Sequence, residues 1–154
     1  MRTRAFSGNI GFVGVGALGS TMARAMHQAG YSVTAVTSRT TASAEQMMME
    51  LDGCKAMQTA QEVADCSDVE LLTVPDNAIE AVANANQWRP GQVVVHCAGA
   101  TPLSMLNPAK DVGALIGAIH PLQTFGTTDG APVVMRGIAY AIESEPPLSE
   151  GLAN

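Results

Sequence analysis

Short apolar runs alternate with amphipathic stretches along most of this chain. The runs are Ile10 to Val13, Ser32 to Thr37, Lys55 to Met57, Val69 to Val74, Gln92 to Cys97, Ala114 to Ile119 and Gly137 to Ile142, and each predicts a strand. Between the first two, Leu18, Met22, Ala25, Met26 and Ala29 share one face of a helix predicted over Ala17 to Ala29, with Gly30 as its stop. A second helix is expected from Ala42 to Leu51, opened by Thr40 or Thr41 and closed near Gly53. Thr59-Ala60-Gln61-Glu62 has capping-box spacing and predicts a short helix ending near Cys66. Asp76 is placed to cap a helix through Ile79, Val82 and Ala83, and Thr101-Pro102 offers an N-cap and an N1 proline for a short helix to about Leu106. Arg89-Pro90-Gly91-Gln92 has the order of a type II turn. A long loop is expected from Pro121 to Pro132.

Alternating strands and helices, with strands that are nearly continuous in apolar residues, predict an α/β fold with a doubly wound, mainly parallel sheet. The width of the apolar register puts the first, fourth and fifth strands at its centre. We read residues 1–8 as an N-terminal extension, 9–143 as one domain and 144–154 as a tail or linker.

The most informative segment is Gly14-Val15-Gly16-Ala17-Leu18-Gly19, between the first strand and the first helix. In that setting G-x-G-x-x-G points to dinucleotide binding. Gly14 permits the tight turn, Gly16 keeps a Cβ away from a pyrophosphate, and Gly19 lets helix and sheet approach. The amides of Ala17 and Leu18 belong to a helix N-terminus, which attracts phosphate. The competing reading is a glycine-rich turn with no ligand.

Charge refines this reading. NAD sites usually carry an acid about 20 residues on, to hold the ribose 2′-hydroxyl. Here the second strand ends in Ser38-Arg39-Thr40, and no acidic residue precedes Glu45. Arg39, with the Ser38 and Thr40 hydroxyls, suits a 2′-phosphate, so NADP(H) is expected over NAD(H). The alternative is that Arg39 is a solvated loop residue.

The 154 residues carry a net charge of −6, which speaks against a nucleic-acid partner. Three cysteines without C-x-x-C spacing predict no disulfide framework and a reducing, cytoplasmic setting. No run approaches the ~18 apolar residues of a membrane span. The histidines and cysteines lack metal-ligand spacing, so no metal is expected.

In doubly wound sheets, ligands bind beyond the carboxyl ends of the strands. That rule nominates Val74-Pro75-Asp76 for the adenosine or pyrophosphate side, His96-Cys97-Ala98-Gly99-Ala100, with Ala98 and Gly99 as cofactor contacts, for the nicotinamide, and His120-Pro121-Leu122-Gln123-Thr124-Phe125 as a loop able to close over a substrate. Gly99 is expected to allow the ligand a close backbone approach. His120, at the end of the sixth strand, is the leading candidate to protonate a carbonyl oxygen or imine nitrogen as hydride arrives, and His96 is the competitor. Either could instead be structural. His27 is expected at the surface. His96 and Cys97 are strand neighbours pointing to opposite faces, which disfavours a Cys–His nucleophilic pair.

Asn9 to Gly19, Thr37-Ser38-Arg39 and Val74-Pro75-Asp76-Asn77-Ala78-Ile79 together resemble the 6-phosphogluconate-dehydrogenase-like NADP-binding group, which includes pyrroline-5-carboxylate reductase. Val93 to Ala100 with Gly117-Ala118-Ile119-His120-Pro121-Leu122-Gln123-Thr124-Phe125 is similar to the Rossmann-like proteins that carry a DUF2520 C-terminal domain. The resemblance covers residues 9–143 and implies NADPH-dependent reduction of a small oxo acid or imine. Relatives continue into a helical C-terminal domain, expected here to be absent. The implied partners are therefore a small-molecule substrate and either a homodimer mate or a helical substrate domain. The alternatives are a non-catalytic nucleotide-binding module or subunit, an S-adenosylmethionine-binding domain and an interaction scaffold. Arg39 counts against the S-adenosylmethionine site, which generally wants an acid there.

Overall fold

The computed structural model describes residues 8–121 and 140–144. Its first strand, β1 (Asn9–Val13), is buried from Ile10 onward and runs into the glycine loop. Helix α1 (Ala17–Gln28) returns the chain to β2 (Ser32–Thr37), and α2 (Thr41–Glu50) leads to the short β3 (Lys55–Ala56). The chain then crosses to the other side of β1 through α3 (Ala60–Asp65). There β4 (Val69–Leu72), α4 (Asp76–Ala85), β5 (Val93–His96), a 3-10 turn (Leu103–Leu106), α5 (Asn107–Lys110) and β6 (Leu115–Pro121) follow. A final strand, β7 (Tyr140–Ser144), closes this edge.

The sheet order is β3-β2-β1-β4-β5-β6-β7. The first six strands are parallel, and β7 runs antiparallel to β6. The expected central trio β1, β4 and β5 is central. All four residues of β4 are buried, as a strand covered on both faces requires. One core packs Ile10, Phe12, Met22, Met47, Leu71 and Val95 on the α1–α2 side. The other packs Val63, Leu72, Ile79, Ala83, Trp88 and Val94 on the α3–α4 side. The strand order reverses between β1 and β4, so a crevice opens beyond their carboxyl ends.

Local signals acted largely as their chemistry dictates. Gly30 has φ +89° just past α1, and Gly91 has φ +81° in the turn where the Gln92 amide donates to the Arg89 carbonyl. Thr59 Oγ1 accepts from the Glu62 amide at 3.1 Å, while the Glu62 carboxylate reaches one residue beyond a capping box, to the Gln58 amide.

Three expectations need correction. Asp76 is the first residue of α4 and not its cap; Pro75, with extended ψ 148°, holds that position. Pro102 is itself the cap of the 3-10 turn and Thr101 lies outside it, because ψ 149° keeps the proline extended; the first-turn proline of α5 is Pro108. The seventh strand, described over Tyr140–Ser144, runs two residues past the expected end at Ile142, because its pairing with Gly117–Pro121 continues to Ser144; residues 137–139 of the expected segment lie outside the described residues. The long loop expected from Pro121 to Pro132 falls, beyond its first residue, outside the described residues, as do residues 1–7 and 145–154. No helix among the described residues is long and apolar enough to cross a membrane.

Candidate functional site

The glycine loop is fixed from both sides. The Gly14 amide donates to the Thr37 carbonyl on β2 at 2.9 Å, and the Thr73 amide beyond β4 donates to the Val13 carbonyl at 2.9 Å. The Thr73 hydroxyl donates to the Gly14 carbonyl at 2.5 Å. Gly14 takes φ +95°, and a Cβ there would lie 2.7 Å from the Thr73 carbonyl oxygen. At Gly19 a Cβ would collide with the Gly14 carbonyl oxygen and come within 2.6 Å of Thr73 Oγ1. Gly16, the N-cap of α1, faces open space, and a Cβ there would meet nothing within 4 Å. Two glycines thus serve packing, and the third leaves an approach clear. The first turn of α1 carries no acidic residue of its own, which leaves its amides suited to an anion.

A cavity of about 630 Å³ lies over this loop. Gly14, Gly16, Ala17, Leu18, Ser38, Arg39, Val74, Pro75 and Asp76 all line it, so three separate loops converge on one crevice. Gly19 sits beneath it as a packing contact. Thr40 is exposed at the cap of α2 and does not line the cavity; its amide donates to Ser38 Oγ at 3.4 Å. Arg39 is exposed and forms no ion pair among the described residues. Arg24 is committed elsewhere: its guanidinium meets Glu50 at 2.6 Å and 3.1 Å, tying α1 to α2.

A second cavity of about 540 Å³ shares Leu18, Asp76 and Cys97 with the first and continues along Ala98, Gly99, Ala100 and His120. Asp76 thus stands at the junction of the two cavities. The His120 Nδ1 atom is 3.1 Å from the Cys97 carbonyl oxygen. A carbonyl only accepts, so Nδ1 carries the proton, and in the neutral ring Nε2 bears the lone pair. A Cβ on Gly99 would lie 2.6 Å from both Cδ2 and Nε2 of His120. The side-chain room that Gly99 leaves is therefore occupied by the imidazole, while Gly99 itself still lines the second cavity.

His96 is fully buried, and its Nδ1 accepts the Ala98 amide at 3.2 Å; it lines neither cavity. His27, in the last turn of α1, is half-buried. Cys97 packs its sulfur 3.9 Å from Met22 Sδ, and burial pushes its thiol up to about 12, so it is no thiolate nucleophile at neutral pH. Among the described residues no group of histidines, cysteines and acids could hold a metal ion.

Two residues escaped the sequence reading. Thr73 reads as the tail of an apolar strand, although a hydroxyl between Leu72 and Val74 was the available signal. Glu70, not singled out within the fourth strand, is fully buried there, and neither carboxylate oxygen has a hydrogen-bond partner among the described residues. Burial pushes its acid up to about 8, with Arg89 opposing and Asp65 adding to the rise.

A family model described as a Rossmann-like domain matches residues 3–121. No curated protein matches the sequence. Among solved structures, the chain is similar to a candidate NADP oxidoreductase from Bacteroides fragilis, with TM-score 0.76, 22% identity, and 95% of this chain and 55% of that one covered. It is also similar to an imine reductase from Aspergillus terreus solved with NADPH4 and dibenz[c,e]azepine (TM-score 0.66, 20% identity, 77% and 42% covered). A third is 3-hydroxyisobutyrate dehydrogenase from Mycobacterium tuberculosis with L-serine (TM-score 0.68, 16% identity, 78% and 42% covered). The chain spans about half the length of these proteins.

Proposed function

The chain belongs to the Rossmann-like domain family, and from that premise we propose that it is the NADP(H)-binding domain of an oxidoreductase that reduces a small oxo acid or imine. The observation that carries this reading is the continuity of the two cavities, from Arg39 over the glycine loop to His120. The residues fit the cofactor. Gly16 leaves open space where a pyrophosphate would approach, and the amides of Ala17 and Leu18 suit its charge. Arg39 and Ser38 suit a 2′-phosphate, and an acid at the same place would repel it. The relatives named as NADP oxidoreductase and imine reductase support the assignment.

When bound, the reduced dinucleotide supplies a hydride. The chain's own residues then position and polarise the acceptor. His120 is the titratable side chain facing the second cavity from the sheet, held by the Cys97 carbonyl and seated on Gly99. It is the group placed to exchange a proton with the acceptor or hold it; His96, buried away from both cavities, is the weaker candidate. The shares of the relatives' chains that remain uncovered favour one other reading, a nucleotide-binding module whose substrate residues come from a partner domain.

Calorimetric titration with NADPH and with NADH tests the assignment. Micromolar NADPH binding with much weaker NADH binding is expected. Absence of binding by either would sink it.

A further inference from the structure

The second cavity selects among acceptors, and this inference rests on the NADP(H) reading above. Its described lining holds Leu18, Asp76, Cys97, Ala98, Gly99, Ala100 and His120, with no lysine or arginine. Asp76 brings a carboxylate, which only accepts hydrogen bonds. The Cys97 carbonyl takes the Nδ1 proton of His120, and in the neutral ring Nε2 is then a second acceptor. The Cys97 thiol, the one other polar side chain, is a weak donor packed against Met22. A cavity furnished with the Asp76 carboxylate, an imidazole nitrogen that accepts in the neutral ring, and no lysine or arginine on its described lining matches a ligand that brings both the positive charge and the N–H. An oxo-acid carboxylate would meet Asp76 with like charge and find no counter-ion on a described lining side chain.

We propose that the substrate is a protonated imine, with Asp76 as its counter-ion and His120 Nε2 as acceptor of its N–H, and that oxo acids are excluded. The chemistry balances without a proton donor. Hydride from the reduced dinucleotide forms a C–H bond at the imine carbon, and the C=N π pair becomes the lone pair of a neutral amine. A carbonyl given the same hydride becomes an alkoxide and needs a proton besides, whereas the protonated imine needs none.

Binding of dead-end probes to the NADPH-loaded full chain tests this without turnover. Pyrrolidine, protonated at neutral pH, stands for the cation, and lactate stands for the carboxylate. Pyrrolidine should bind at least about ten-fold more tightly than lactate, and Asp76→Asn, titrated at saturating NADPH, should weaken pyrrolidine about ten-fold. Tighter binding of lactate, an unchanged pyrrolidine affinity in Asp76→Asn, or binding of neither probe by a chain that does bind NADPH would each overturn the proposal and leave the NADP(H) reading standing. Failure to bind NADPH would remove both.

Discussion

The His120 imidazole rests on Gly99, so close that a Cβ at Gly99 would lie 2.6 Å from the ring atoms Cδ2 and Nε2. Backbone there leaves little freedom to yield, so Gly99→Ala must displace the ring. Misplacing a reacting group by about 1 Å can cost about a hundred-fold in rate. Gly99→Ala should therefore lower kcat in an NADPH oxidation assay by up to about that factor and leave the NADPH dissociation constant within about two-fold, because the glycine loop is untouched. An unchanged kcat would mean that His120 has no part in the chemistry.

Thr73 holds the phosphate loop through its hydroxyl bond to the Gly14 carbonyl. Thr73→Val removes the donor at nearly constant shape, and Thr73→Ser restores it. Losing such a bond is worth about 1 kcal/mol, so Thr73→Val should weaken NADPH about five-fold. The loop is proposed to serve the pyrophosphate, so binding of adenosine 2′-monophosphate, which has no phosphate at the 5′ position, should change much less. Equal weakening of both ligands would assign Thr73 to general packing.

These two contacts also show where sequence reading stops. The glycine loop was legible because each glycine answers a local demand, and the central place of β1, β4 and β5 was legible because buried parallel strands need apolar residues on both faces. Val74-Pro75-Asp76, Ala98-Gly99 and His120 were read as lining from the strand-end rule alone, and they do line the two cavities. The reason for Gly99 was not legible, because the imidazole that fills its space arrives from the next strand. Nor was the direction of β7, since apolar content is the same for either sense of pairing. Glu70 was hidden by its neighbours: a single acid in an apolar run gives no local sign of whether it is buried.

Arg39 lines the first cavity and is engaged in no ion pair among the described residues, so its charge is available to a ligand. Charge-assisted bonds to phosphate are roughly twice as strong as neutral ones. Arg39→Ala should weaken NADPH by roughly 10- to 100-fold and NADH by little, because only NADPH carries the 2′-phosphate. Parallel titrations of both dinucleotides check this, and an NADPH affinity that does not move would remove Arg39 from the site.

Glu70 makes stability depend on pH in a calculable direction. Its acid lies at about 8 in the folded chain against an ordinary value of 4.5. Between those values the native state keeps a proton that the unfolded chain has released, so stability falls as pH rises. The contribution is whole below about 4.5 and lost progressively as pH climbs through about 8. Asp65 pushes in the same direction as burial, while Arg89 offsets part of it, its guanidinium being engaged with the Ala64 and Ser67 carbonyls at 2.8 Å and 2.7 Å. Glu70→Gln keeps the shape of the protonated acid and cannot ionise. Thermal unfolding should therefore show wild type and variant alike near pH 5, with the variant melting roughly 5 °C or more above wild type at pH 8. A variant that tracks wild type across the whole range would mean that the Glu70 carboxylate finds solvation or a partner when it ionises.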